Sequence, residues 1–477
     1  MSLPSLKMPD HQQVDLGLWA SSSSDDELSL KHVHPRKWGK ARKVYDTSVI
    51  MFLEFFTTMI STAGTPIAGH IHRDLGIGPV PATCIFVSTY LVGQTLGGVI
   101  FPPWSESFGR KNLYVFSTGL YSMSCLLGGK FPTIPGIVIG RFIGGLLSAI
   151  PTIVATGSIE DMWDTQARVW WVFWWALLAN IGLLTGPVFS DLIMAYVDWV
   201  WAFYTAAIVT GCVTMLFLTI KESRPSVVLA KALPPDTDGT TCDKTLECQT
   251  GTPKREKLDL LRPLRLLFTE PIVFLVAFIS AIAFGLVYLF TEVLPMVYAS
   301  LGFENGWKNL PFLALGIGMI LSILTRFYDL RVLKNSSTTF IAPESKFAGF
   351  LIGAPALAIG LWWFAWTIPP HAILHWAIPT AALIPIGYAV NEFDYVLAGY
   401  LSDCYETYTA SSFAALALTR SFFCATFPLF GGTLFHSLNF NNASSLFATL
   451  ATVLCIVPPI LLRYGSRLRA RSAYANK

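Results

Sequence analysis

Residues 101–114 read FPPWSESFGRKNLY, with CIFVSTYLVGQTLGGVI (84–100) before them and VFSTGLYSMSCLLGG (115–129) after. The flanking runs are apolar and, with their edges, approach the ~20 residues a helix needs to cross a bilayer. The stretch between them is too short for a domain, so it reads as a tight link between two spans. Gly109 permits a sharp backbone turn. Arg110 and Lys111 carry the positive charge expected of a cytoplasmic loop, and Glu106, four residues before Arg110, is within reach of an ion pair. The link has two readings: a basic anchor, or a latch that holds two halves of the protein together on the cytoplasmic side and lets go when a central site opens inward.

The same alternation of oily run and polar link recurs along the chain. Of the 477 residues 53% are hydrophobic and only 13% charged, with a mean hydropathy of +0.54. Soluble domains carry about 25% charged residues. In lipid the backbone must satisfy its own polar groups, so long unbroken apolar runs are helices, whereas an outer-membrane barrel would show alternating strands of about ten residues. Twelve spans are predicted, near 46–68, 82–102, 112–130, 134–156, 169–190, 198–220, 271–293, 309–327, 347–367, 372–397, 409–431 and 443–462. Six precede the longest polar segment, 221–269, and six follow it. The expected fold class is an all-α membrane protein with twelve transmembrane helices in two six-helix bundles.

The corresponding divisions are an amino-terminal tail (1–44), a first bundle (45–220), a linker (221–269), a second bundle (270–462) and a basic tail (463–477). The linker contains PPDTDGTT and suits a flexible connection. If the amino terminus is cytoplasmic, about 28 of the 33 Lys and Arg fall on the cytoplasmic side; Arg73, Lys130 and Lys308 fall outside, and Arg141 and Arg420 within spans. Both termini and the linker are therefore expected to be cytoplasmic. The tail RYGSRLRAR (463–471) suits contact with anionic lipid. Before the first span come SSSSDDE (21–27) and KHVHPRKWGKARK (31–43), a pattern unlike a secretory leader.

Several functions are disfavoured. A net charge of +3 without a basic soluble domain gives no sign of a nucleic-acid partner. Six of the eight cysteines lie in or near apolar runs, and Cys242 and Cys248 stand in the linker, with no disulfide framework and no CxxC metal site. His371 and His375 form one H-x3-H pair at a helix end, where a membrane metal enzyme would need several such clusters. No metal, cofactor or catalytic residue is expected. Six spans plus six around a cytoplasmic linker is the plan of secondary transporters, with the substrate site between the halves near the midplane.

A resemblance sharpens this reading. Pro103-Trp-Ser-Glu106-Ser-Phe-Gly109-Arg110-Lys111 resembles the link between helices two and three of the major facilitator superfamily, in the form P-x-S-E-x-x-G-R seen in fungal twelve-span drug:proton antiporters of the polyamine and multidrug resistance type. Further motifs follow in order. Gly140-Arg141-Phe142-Ile143-Gly144-Gly145 is similar to the fourth-helix motif, Asp161-Met-Trp163 with Arg168 to the D-x-W-x4-R loop, and Gly182-Leu-Leu-Thr-Gly186-Pro187 to the fifth-helix antiporter motif. Tyr288, Glu292 and Pro295 resemble the seventh-helix pattern, Pro343-Glu344-Ser-Lys346 the P-E-x-R link, and Arg420 with Phe427-Pro428-Leu429-Phe430 helix eleven. The resemblance covers about residues 36–472. It departs from the pattern at Ser190 and Asp191, where a glycine pair usually closes the fifth-helix motif, at Lys346 for Arg, and at Pro102 for the first glycine of the superfamily-wide link.

Ionisable residues inside spans cost about 2.5–3.5 kcal/mol on the translocon scale and so mark candidate working parts. Those expected to couple protons are Arg141, Glu292, Glu54 and Asp394. The resemblance implies such a role for Arg141; its residues alone also fit a buried arginine held by main-chain carbonyls. Glu54 rests on its depth alone, and Glu292, one turn after Tyr288, also fits an acid at the outer rim. Glu106, Gly109, Arg110, Lys111, Asp161 and Arg168 are assigned to the cytoplasmic gate, and Gly182, Gly186 and Pro187 to a bent, closely packed fifth helix. Tyr288, Asn391, Trp174 and Arg420 are candidates for the substrate cavity. The run WWVFWW (170–175) fits an aromatic belt or a cavity wall. Asn442-Ala-Ser444 matches a glycosylation acceptor close to the membrane.

The function expected from all this is a proton-coupled secondary transporter that exports a drug-like, toxin or secondary-metabolite molecule by alternating access. It would act as a monomer in the plasma membrane, its partners a small-molecule substrate, protons and the lipid bilayer. A proton-coupled importer of a nutrient or polyamine, and a non-transporting membrane sensor, are the alternatives.

Overall fold

The structure is a computed structural model that describes residues 34–72, 74–225, 227–228, 262–303, 305–335, 343–369, 374–405 and 409–472. Arg73, His371, Cys242, Cys248 and most of the predicted tail and linker lie outside the described residues. Among the described residues the twelve long helices are α1 (Lys40–Ile71), α2, α3 (Arg110–Lys130), α4 (Ile134–Met162), α5 (Thr165–Tyr196), α6 (Val200–Thr219), α7 (Pro271–Ser300), α8, α9 (Ala348–Thr367), α10 (Ala377–Cys404), α11 and α12, with a shorter helix at Arg262–Thr269 before α7. Helix α2 joins Pro79–Thr83, a π-helical turn at Cys84–Ser88 and Thr89–Phe108, and α8 joins Pro311–Leu321 and Ile323–Asn335. Helices α11 and α12 form the run Thr409–Leu454, broken at Asn439 (φ 65°, ψ 156°), and α12 continues into Val457–Arg471.

Among the described residues, ten helices are long and apolar enough to cross a bilayer. The predicted spans at 112–130 and 372–397 are the two others; they fall on α3 and α10, which are more polar. Their polarity is absorbed inside the protein. In α3, Ser117, Thr118 and Ser124 return their hydroxyls to carbonyls of the preceding turn, and Ser122 donates to Ala207 O of α6 at 2.7 Å. In α10, Asn391, Glu392 and Asp394 are all buried against other helices. Large apolar side chains such as Phe116, Met123, Ile208, Met215 and Ile359 remain exposed around the perimeter, where lipid would cover them.

Packing separates the helices into two sets. In the first, α1 lies on α5, α2 on α4, and α3 on α4 and α6; in the second, α7 lies on α11, α8 on α10, and α9 on α10 and α12. The halves meet where α2 faces α11, α5 faces α8 and α1 faces α7. The seam between α1 and α5 shows why α5 carries its glycines. A Cβ on Gly182 would sit 2.1 Å from Thr58 Oγ1, and one on Gly186 would sit 2.1 Å from Thr62 Oγ1. Pro187 has no N–H to give the Leu183 carbonyl four residues back. Thr62 of α1 donates to that carbonyl at 2.9 Å, so the proline becomes a docking point rather than a defect.

Candidate functional site

The α2–α3, α4–α5 and α10–α11 links lie at one end of the molecule, here termed the basic side; the opposite end is the far side. A cavity of about 330 Å³ lies between the halves on the basic side. It runs inward from Arg110, Arg168 and Lys346 past Tyr395 to Trp175 and Asp394. A smaller space of about 40 Å³ continues from Trp175 and Asp394, bounded by Glu54, Gln94, Tyr288 and Arg420.

Helices of both halves bring polar groups to this inner end. Arg420 Nη1 of α11 pairs with Asp394 Oδ1 of α10 at 2.9 Å, and its guanidinium lies 4.0 Å from the centre of the Phe284 ring of α7. Asn180 Nδ2 of α5 donates to Asp394 Oδ2 at 3.3 Å and to Asn391 Oδ1 at 3.1 Å, which ties the first half to the second. Asn391 in turn donates to Ser322 Oγ of α8 at 2.7 Å. Glu54 of α1 is only 1% exposed and accepts a bond from Thr152 Oγ1 of α4 at 3.3 Å. The predicted Glu54, Asp394 and Arg420 thus come together around one space, with Tyr288 in its wall donating to or accepting from Ser61 of α1 at 2.8 Å. Sequence reading passed over Asn180, although an uncharged amide deep in an apolar run is itself a signal of polar work.

Other candidates sit elsewhere. Arg141 donates to three carbonyls, Phe86 O at 2.6 Å, Ile60 O at 3.0 Å and Ser61 O at 3.0 Å, and lies over the Tyr90 ring. It thereby cross-links α1, α2 and α4, the arrangement of an arginine held by main chain. Glu292 leaves the inner space and faces Gly431 and Gly432 of α11; its Oε2 is buried with no hydrogen-bond partner. Trp174 is 40% exposed and meets Phe173 edge-on, while its neighbour Trp175 lines both spaces. Trp170 meets Phe327 of α8, and Trp171 stacks on Trp163 at 4.8 Å, so the tryptophan run divides among packing, half-to-half contact and cavity wall.

At the basic rim, Gly109 turns between α2 and α3 with φ 86°. Glu222, just beyond α6, accepts from the Arg110 and Lys111 backbone N–H groups at 2.9 and 3.0 Å and caps α3. Arg110 Nη2 pairs with Asp161 at 3.0 Å. In this state, open on the basic side, the side-chain partners of Arg110, Asp161 and the Val154 carbonyl, both belong to α4 in its own half. The side chain of Glu106 lies outside the described residues. Arg168 pairs with Glu160, and Lys346 with Asp403 at 2.6 Å, each again within one half.

A second cluster gathers around an arginine that sequence reading did not single out. Arg326 of α8 is fully buried, bonded to Glu392 at 2.5 Å and Asp329 at 2.7 Å, and stacked 3.8 Å from the Tyr395 ring. Arg326 falls near the end of the predicted span 309–327, where hydropathy drops, and is not among the in-span charges singled out from the sequence. The helix instead runs on to Asn335. Among the described residues no group of three or more His, Cys, Asp or Glu is placed to hold a metal ion.

With this geometry in view, the Major Facilitator Superfamily pattern matches residues 50–428. The chain belongs to the major facilitator superfamily. Its fold is correspondingly similar to that of the XylE proton:xylose symporter bound to 6-bromo-6-deoxy-D-glucose, with a TM-score of 0.63 at 17% identity, covering 89% of this chain and 97% of that one. Relatives within the superfamily include multidrug transporter TPO1_1 of Candida glabrata, 30% identical over 92% of this chain and 79% of its own length. MFS-type transporter penM of Penicillium rubens is 30% identical over 91% of this chain and 87% of its own. Efflux pump radE of Floropilus chiversii is 26% identical over 93% and 84%.

Proposed function

We propose that this superfamily member is a proton-coupled exporter of drug-like, toxin or secondary-metabolite molecules, working by alternating access in the plasma membrane with both termini cytoplasmic. The observation that carries the reading is the pair of adjoining spaces between the halves, with Glu54 from one half and the Asp394–Arg420 pair from the other around the inner one. Ionisable groups buried from lipid and facing a solute path are what proton exchange needs. Trp175, Tyr395 and Phe413 give the wider part aromatic walls suited to flat or amphipathic solutes. The names of the fungal relatives, an efflux pump and a multidrug transporter, support the direction of export.

In this mechanism the observed state receives substrate from the basic side, taken as the cytoplasm. A proton arriving from outside on Glu54 or Asp394 replaces substrate as the neutralising partner, and the halves rock around the shared centre. Arg141 would keep α1, α2 and α4 moving as one body. Import remains the second reading, because Ser190 and Asp191 replace the glycine pair that resemblance leads one to expect at the end of the fifth-helix motif. Inside-out vesicles separate the two: an acidic lumen should drive accumulation of a labelled substrate for export, and drive its loss for import. A protein that moves no compound from a toxin and drug panel, in either orientation, would be a sensor.

A further inference from the structure

The far side is closed by contacts between the halves, and most of them are neutral. Ser61 meets Tyr288 at 2.8 Å, Thr65 meets Thr291 at 3.3 Å, and Ser88 donates to Ala425 O at 2.7 Å. One contact differs. Asp191, near the far end of α5, accepts from Lys308 Nζ at 3.2 Å and from Asn309 Nδ2 at 2.7 Å, both on Oδ2. Lys308 and Asn309 belong to the short helix Asn305–Asn309 that leads into α8, so the contact crosses from the first half to the second. The Asp191 side chain is only 7% exposed and Asn309 is 3% exposed, while the Lys308 side chain stays partly open at 26%. Among the described residues it is the one ion pair that joins the halves on the far side.

We propose that Asp191, Lys308 and Asn309 form a charged strap that holds the far side shut while the cavity faces the basic side, and that each transport cycle must break it. Burial strengthens the pair relative to an exposed one, and screening by salt is correspondingly reduced. It joins α5 to the short helix that leads into α8, and α5 and α8 both line the route between the halves, so opening the far side pulls Asp191 away from Lys308 and Asn309. A glycine at position 191 could make neither bond. The strap is therefore a gating device specific to the chemistry of this chain's fifth helix, and it sets how the two facing states are populated without touching substrate.

The test is a distance measurement on the full chain in nanodiscs. Spin labels carried on noncanonical amino acids replace Tyr196 at the end of α5 and Leu374 before α10, both exposed on the far side and in different halves. Asp191→Asn and Lys308→Gln should each raise the longer-distance population at least threefold over the parent. Asp191→Lys combined with Lys308→Asp should bring it back toward the parent value. A control pair at Phe131 and Tyr196, both in the first half, should keep its distance in every variant. An Asp191→Asn distribution that superimposes on the parent, a swapped pair as open as the single variants, or a shifted control pair would each overturn the strap. None of these readings depends on proton coupling or on knowing the substrate.

Discussion

At the residue scale, the inner end of the cavity holds two carboxylates and one guanidinium. Arg420 is committed to Asp394 at 2.9 Å, which leaves Glu54 with a hydroxyl as its hydrogen-bond donor. Glu54→Gln keeps the size and hydrogen bonding of the side chain but removes its charge. It should leave substrate binding within about twofold while lowering proton-driven flux at least tenfold, of order 1.4 kcal/mol or more in the barrier; flux against an imposed pH gradient, with binding measured separately, checks both. The Asp394–Arg420 pair invites a double-variant cycle. Arg420→Gln alone strands a buried carboxylate, and losses of about 3–5 kcal/mol accompany such a broken pair. Arg420→Gln with Asp394→Asn should recover much of that stability but not proton-driven flux, as thermal unfolding in detergent and vesicle assays would report. Equal stability of single and double variants would mean the two side chains do not interact energetically.

At the element scale, the helices owe their positions to close approaches rather than to hydropathy. Gly186→Ala would place a methyl 2.1 Å from Thr62 Oγ1 and 2.4 Å from the Met59 carbonyl, and backbone on α1 cannot swing aside. Overpacking of this kind costs about 1–3 kcal/mol, so the variant should melt lower and express poorly. Glu222→Ala removes the cap of α3 and should cost about 1 kcal/mol, with faster proteolysis at the α2–α3 turn as a second sign. These elements also show what could be read from the chain in advance. Spans, their order and the glycine-proline pattern of α5 were legible because lipid and close packing demand particular residue types at particular spacings. Helix ends were not: α1 begins at Lys40 and α8 runs on to Asn335, beyond the predicted end at 327, because charged flanks remain helical while hydropathy has already dropped. Partners were the least legible. That Arg110 pairs with Asp161 and that the uncharged Asn180 reaches Asp394 could not be read from the chain, since which faces meet is decided by three-dimensional packing.

At the scale of the whole molecule, the question is whether the space between the halves is a route or merely a packing defect, and α10 contains its own control. Gly387 and Gly399 lie twelve residues apart on that helix. A Cβ on Gly387 would fall 2.0 Å from the Leu315 carbonyl of α8, inside the seam that builds the second half. A Cβ on Gly399 would meet nothing within 4 Å, because that position borders the large cavity. If the cavity is the solute path, Gly399→Trp should fill it without disturbing any seam. Its melting temperature should stay within a degree or two of the parent, about the width expected for a change below 0.5 kcal/mol, while substrate binding falls at least tenfold. Gly387→Ala should do the reverse, lowering stability while the surviving folded fraction still binds. A Gly399→Trp protein that binds and transports normally would require the solute to pass between the halves by another way, and the pairing of Glu54 with the Asp394–Arg420 cluster would then lose its place at the end of the path.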